Sequence, residues 1–241
     1  MTFEKVADRI RGASKIVFVT GAGISQESGI PTFRGKDGYW RKYDAMSLAT
    51  IEAFSENPQL VWEWYEDRRR NILAANPNAG HIAIANLAEY KDVVVLTQNI
   101  DGLHQKAGSK NVYELHGSII RIKCTKCAFI EDMPESFDVL PPSCKCGSIL
   151  RPDVVWFGEP LPQDVWIDAI THAQNCDVMI IVGTSLVVSP ANSLPLYAKQ
   201  NGATLIEVNP EPTPMSEYMD ISVRDTAVGA LPHLLSIFKS S

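Results

Sequence analysis

VVVLTQNIDGLHQKAGSKNVYELHGS, residues 93–118, is the stretch from which the arrangement of the chain is read. Val93 to Leu96 is an unbroken β-branched and leucine run, the mark of a strand buried on both faces of a parallel sheet. Thr97, Gln98, Asn99 and Asp101 follow where that strand runs out, and open α/β sheets take their ligands beyond the carboxyl ends of strands. Val112 to Leu115 predicts a second short strand, with His116-Gly117-Ser118 at its end. Two strand ends thus offer a carboxamide pair, a carboxylate and an imidazole. A histidine beside a glycine is, taken alone, more often a hydrogen-bonded turn residue than a catalyst, so the rest of the chain has to decide.

Upstream, KIVFVT (15–20) predicts another buried strand, followed at once by Gly21-Ala22-Gly23-Ile24-Ser25. Two glycines there would let a diphosphate approach the backbone while the next helix offers its N-terminal amides. A tight strand-to-helix turn with no ligand fits the same residues. Gln26 stands where a GxGxxG motif has its third glycine, and no acidic residue closes a second strand some twenty residues on, which disfavours hydride transfer. Downstream, DVMIIV (177–182) and Thr204 to Val208 predict two more strands, ending in Gly183-Thr184-Ser185 and Asn209-Pro210-Glu211. Helical spacing appears at Phe3, Val6 and Ile10, and over 58–76, 80–89, 164–175, 190–200 and the terminal Leu231, Leu234, Leu235 and Phe238. Such alternation predicts a doubly wound, parallel, Rossmann-like sheet.

Between these elements lie segments of another kind. SGIPTFRGKDGY (28–39), rich in glycine and proline, predicts a loop able to cover a bound ligand, with Phe33 and Arg34 facing it. In the helix opened by Asn57 and Pro58, residues Val61, Tyr65, Arg68 and Ile72 share one face. An arginine in that stripe either snorkels to water or forms, with the phenol, a binding pair for an acidic ligand. Arg69 and Arg70 are expected to face solvent. Cys124-x-x-Cys127 and Cys144-x-Cys146, separated by the sixteen residues 128–143, read as a zinc ribbon whose four thiolates close the shell, so the metal is structural. The second pair has one intervening residue where two are usual. RPDVVWFGE (151–159) predicts either a core strand or an edge that pairs with a peptide. The expected division is a Rossmann-like domain over 1–37, 77–121 and 151–241. A smaller domain takes a helical module over 38–76 and a metal-binding module over 122–150.

The 241 residues carry 22 Lys and Arg against 28 Asp and Glu, a net charge of -6, which argues against a general nucleic-acid binder. MTFEKVADRIRG, with acids and bases interleaved, is read as neither signal peptide nor anchor, and the expectation is a cytoplasmic protein. Five cysteines, four of them clustered, suggest a metal rather than a disulfide framework.

Taken together, GAGIS (21–25), GIPTFRG (29–35), TQNIDGLH (97–104), LHGS (115–118), the paired cysteines, VVWFGE (154–159), GTS (183–185) and NPE (209–211) resemble the sirtuins, NAD-dependent protein lysine deacylases, over nearly the whole chain. The resemblance implies that Gly21, Ala22, Gly23, Ile24 and Ser25, then Thr32, Phe33, Arg34, Tyr39 and Trp40, then Gln98, Asn99, Ile100 and Asp101 line an NAD pocket. Gly183, Thr184, Ser185, Asn209, Pro210, Glu211 and Ala227 would lie on its adenosine side. It makes His116, with Asn99 and Asp101, the catalytic group, and sets the acyl-lysine beside Val154, Val155, Trp156, Phe157 and Gly158. Tyr65 and Arg68 resemble the Tyr-x-x-Arg pair of the sirtuins that remove acidic acyl groups, and Ala49 the small residue that leaves room for them. Deacetylation with desuccinylation and demalonylation is therefore expected, with NAD as co-substrate, one structural Zn2+ and acylated protein lysines as partners. An ADP-ribosyltransferase, or a non-enzymatic NAD-sensing zinc-ribbon module, would use many of the same residues.

Overall fold

A computed structural model describes residues 2–31 and 45–240. Six parallel strands form the main sheet: β1 (Lys15–Thr20), β2 (Asp92–Thr97), β3 (Val112–Glu114), β7 (Val178–Val182), β8 (Thr204–Val208) and β9 (Ile221–Val223). Their order is β3-β2-β1-β7-β8-β9. Counted among themselves this is 3-2-1-4-5-6, the dinucleotide-fold order, with its switch point between β1 and β7. A second, antiparallel sheet holds β4 (Gly117–Cys124) between β5 (Ile130–Asp132) and β6 (Leu150–Val154). The expected Rossmann-like sheet with a small domain of helices and a cysteine ribbon is what the chain forms.

The strands of the main sheet are apolar throughout because both faces are covered. One face, with Ile16, Phe18, Val93, Val95, Ile180 and Ile206, packs under α1 (Thr2–Gly12), α5 (Ala79–Leu87) and α9 (Ala227–Lys239). The alternate residues Val17, Val19, Val94, Leu96, Met179 and Leu205 pack under α7 (Gln163–Gln174) and α8 (Leu194–Gln200). The helix expected over 190–200 opens as a 3-10 turn, Ala191–Ser193, before α8. The helix expected after Gly21 is a 3-10 segment, Ala22–Ser28, closed by Gly29 at φ 85°. β9, which the sequence pattern did not single out, is three residues long and sits at the sheet's edge. Among the described residues no helix is long and apolar enough to cross a membrane.

A third core joins α2 (Ala45–Leu48), α3 (Ile51–Glu56) and α4 (Pro58–Ala74) to the antiparallel sheet. Asn57 caps α4 as its spacing predicts, its Oδ1 accepting from the Leu60 amide at 3.1 Å. Trp62 is fully buried, and its indole donates to the Leu150 carbonyl at 2.8 Å. Arg70 is exposed as expected, but Arg69 is buried at 3% exposure. Its guanidinium meets Glu66 one turn earlier (2.9 Å) and the Glu135 carbonyl (2.7 Å). An internal counter-ion and a loop folded over α4 make a buried arginine tolerable.

The chain leaves the main sheet at one residue. Gly117, at φ 75°, follows β3 and His116 and opens β4, and a Cβ there would stand 2.1 Å from the Asp153 carbonyl oxygen. Both the dihedral and the approach exclude a side chain. Gly117→Ala is therefore expected to lower unfolding stability by about 3 kcal/mol or more. Gly12→Ala, which meets nothing within 4 Å, should change it by less than about 0.5 kcal/mol. Urea unfolding of both variants measures the contrast.

Candidate active site and metal centre

The carboxyl ends of β1, β2, β3, β7 and β8 are tied to one another by hydrogen bonds. At the switch point the Gly21 amide donates to the Val182 carbonyl (3.1 Å) and the Gly23 amide to the Gly183 carbonyl (2.8 Å). A Cβ on Gly23 would lie 2.7 Å from the Gly183 Cα, and one on Gly183, itself at φ 58°, 2.5 Å from the Ile24 nitrogen. These glycines are required by the close approach of two strand ends. Gln98 Nε2 donates to Thr184 Oγ1 (3.0 Å), Asn209 Nδ2 to the Thr184 carbonyl (3.4 Å), and Asn99 Nδ2 to the Gly21 carbonyl (3.1 Å).

Ser25, almost fully buried, is the junction of the polar layer beneath. Its hydroxyl donates to Asp101 Oδ2 (2.7 Å) and accepts from Asn99 Nδ2 (3.1 Å). Asp101 Oδ1 accepts from the Leu103 amide (2.9 Å). Burial raises the Asp101 carboxyl above its ordinary pKa, opposed by those two donors. Two further histidines stand behind: His81 Nε2 lies 3.4 Å from Ser25 Oγ, His104 Nε2 3.0 Å from Thr20 Oγ1, and their rings meet edge to face at 4.9 Å. Burial pushes His81 down to about 4 and His104 to about 3, so both are neutral at pH 7. Sequence reading missed this pair. The Asn78-x-x-His81 capping box that opens α5 was the available signal.

His116 is half-buried at the end of β3. Its Nδ1 donates to the Gln98 carbonyl at 2.9 Å, which leaves the Nε2 lone pair as the acceptor. Burial lowers its pKa, the Gln98 bond opposing, so the ring is neutral at pH 7. The His116 carbonyl accepts from the Val155 amide (2.9 Å), which sets the 154–158 segment beside it. Val154 and Trp156 are buried in the third core, Phe157 is 40% exposed, and Gly158 is at φ 87°. The Phe157 amide donates to the Ala49 carbonyl (2.9 Å). Trp156 is fixed from three sides. Arg151 stacks 3.2 Å over its ring, Glu159 accepts from its amide (2.8 Å), and its indole donates to the Tyr65 hydroxyl (2.9 Å).

Tyr65 is buried, and Arg68 places its guanidinium carbon 4.8 Å from the Trp64 ring and 5.7 Å from that of Tyr65. Burial raises the Tyr65 phenol pKa, with the Arg68 charge the main opposing influence. Ile100 is half-buried beside Asn99, Ser185 half-buried beside Thr184, and Ala22 half-buried in the 3-10 segment, while Pro210 and Glu211 are exposed. Ala227 opens α9 above Gly80. Thr32, Phe33, Arg34, Tyr39 and Trp40 lie outside the described residues.

The four cysteine sulfurs lie within 4.8 Å of one another. Cys124 and Cys146 are 3.5 Å apart and Cys127 and Cys144 3.7 Å. Four sulfurs at the ~2.3 Å of a Zn–S bond define a tetrahedron with edges of about 3.8 Å, so the cluster fits one zinc ion. The amides of Lys126 and Cys127 point at Cys124 Sγ (3.3 and 3.4 Å), the outer bonds that a metal thiolate takes. The one-residue gap is accommodated by a tight turn, with Gly147 at φ 84° and its amide on the Cys144 carbonyl (2.9 Å).

A protein-family model described as the Sir2 family matches residues 21–190. The NAD-dependent protein deacylase 1 of Caldanaerobacter subterraneus subsp. tengcongensis is 54% identical over 221 residues, 90% of each chain. The NAD-dependent protein deacylase of Pyrococcus furiosus is 49% identical over 239 residues, 96% of each. Among solved structures, a Sir2 homolog–NAD complex superposes with a TM-score of 0.94 at 44% identity, covering 98% of this chain and 94% of that one. A complex of Sir2, a p53 peptide and NAD+ gives 0.89 at 35% identity, covering all of both. The chain belongs to the Sir2 family.

With four thiolates and no open position, zinc stabilises the fold and does no chemistry. Purified protein is expected to carry one zinc per chain by elemental analysis. Cys127→Ala should lose it and melt at lower temperature, and a strong chelator should reproduce that shift in the unmodified chain.

Proposed function

We propose that the chain is an NAD-dependent protein lysine deacylase, converting acyl-lysine, NAD and water to lysine, nicotinamide and O-acyl-ADP-ribose. The observation that carries this reading is a set of five strand ends linked by hydrogen bonds, one of them bonded to an imidazole that keeps its Nε2 lone pair, over a buried Asp101–Ser25–Asn99 layer. Names and contents of the relatives support it: deacylases at about half identity, and solved neighbours holding NAD and a peptide.

In this reading NAD supplies the electrophilic ribose carbon that the acyl oxygen attacks as nicotinamide departs. Gln98, Asn99 and Asp101 hold the nicotinamide riboside end, Asn209 and Glu211 the adenosine end. The peptide lies along Val155 to Gly158, and the acyl-lysine reaches in beside His116. His116 acts as general base through Nε2 on a ribose hydroxyl. Its Gln98 bond fixes the tautomer, and its lowered pKa keeps the ring unprotonated at neutral pH.

The acyl preference rests on Tyr65, Arg68 and Ala49. Because the Tyr65 oxygen accepts from the Trp156 indole, the phenol proton is available to a ligand. An acidic acyl group would take that proton and the guanidinium together. This favours succinyl- and malonyl-lysine beside acetyl-lysine.

His116→Ala should lower kcat by at least about a hundredfold, with ADP-ribose affinity by calorimetry little changed. For the unmodified enzyme kcat should rise with pH through a midpoint below 6.5, since burial depresses the ring below its usual value and the neutral form is the base. Mass spectrometry that found ADP-ribosylated protein in place of O-acyl-ADP-ribose would overturn the reaction. Arg68→Met should cost about a hundredfold in kcat/KM on succinyl peptide and far less on acetyl peptide. Equal losses on both would remove the carboxylate clamp.

A further inference from the structure

β8 carries a carboxylate that neither the fold nor the chemistry above uses. Glu207 is completely buried, in a strand whose neighbours Ile206 and Val208 are core residues. Burying a carboxylate is costly even with Arg224 at the surface beside it, so its retention calls for another role. Arg224, just past β9, donates to Glu207 Oε2 at 2.5 Å, and the same guanidinium nitrogen lies 3.4 Å from the carbonyls of both Asn209 and Glu211. The second carboxylate oxygen accepts from Thr213 Oγ1 (2.8 Å), and Ser216 Oγ reaches both oxygens (2.9 and 2.8 Å). One buried charge thereby gathers the whole connection from β8 to β9, including the Asn209-Pro210-Glu211 turn on the rim of the crevice.

We infer that Glu207 and Arg224 are a positioning pair that holds the Asn209–Glu211 turn in shape for the adenosine half of NAD, acting without touching it. The inference rests on the cofactor reading given above. One arm of the guanidinium, Nη1, serves the carboxylate and faces the two carbonyls while the other, Nη2, donates to Ser216 Oγ (3.2 Å), a two-armed grip that lysine, with one point of charge, does not reproduce. The pair therefore sets cofactor affinity and leaves the acyl-lysine end unaffected.

The test uses the full zinc-loaded chain, Arg224→Lys, and the double variant Glu207→Gln with Arg224→Met, which removes both charges together and leaves no uncompensated ion. Calorimetry with ADP-ribose should show affinity reduced about tenfold in both. KM for NAD should rise in parallel, while KM for the acyl peptide and kcat at saturating NAD stay unchanged. Affinity within about twofold of the unmodified chain, or equal losses in kcat and peptide KM, would overturn the proposal. Failure of both variants to fold would assign the pair to stability alone and overturn it as well. A chain that binds no ADP-ribose before any substitution would instead refute the cofactor reading, and this inference would fall with it.

Discussion

The contact on which the site depends is between two pieces of backbone. Where β1 and β7 end side by side, Gly23 and Gly183 approach so closely that neither tolerates a Cβ, and the amide of one bonds the carbonyl of the other. Everything on the rim is referred to that junction. Asn99 reaches it through the Gly21 carbonyl, Gln98 and Asn209 through Thr184, and His116 through Gln98. Widen the junction by one methyl group and every polar side chain in the crevice loses its reference point. Packed interiors respond to single methylenes for the same reason.

The polar layer under the rim is tolerable because most of its buried groups find a partner of the right kind, with His104 Nδ1 left without one. Ser25 uses its one proton on Asp101 and its lone pairs on Asn99 and His81. His81 and His104 stay neutral, which removes the largest electrostatic cost of stacking two imidazoles in a core. Such networks are worth more than the sum of their bonds when satisfied. The result is a rigid floor beneath a crevice that itself has little secondary structure.

Much of this was legible in the sequence. β1, β2, β7 and β8 announce themselves because strands covered on both faces have no polar alternation to confuse them, and the residues just past their ends are the ones that meet. The capped α4 and the cysteine spacing were equally plain, since local chemistry fixes both. What could not be read depends on contacts far along the chain. Arg69 looks like a surface residue until the Glu135 loop closes over it. Glu207 looks like an error in an apolar strand until Arg224 arrives from the next one. Gly21 and Gly23 suggested a diphosphate's approach, and the strand-end contact that also requires them, with Thr184 and Gly183, could not be read from spacing. β9 is too short, and too polar at its end, to carry a pattern.

Gly117 changes the chain from one sheet to the other within a single residue, and Val155 returns to bond the His116 carbonyl. There is no slack between the imidazole and the sheet that bears the thiolates. His116 is bonded on both sides, its ring to the Gln98 carbonyl past β2 and its backbone carbonyl to the Val155 amide past β6, so a shift of one sheet against the other must strain one of these bonds. The aim of the imidazole is thereby set by how the two sheets are seated at that one residue.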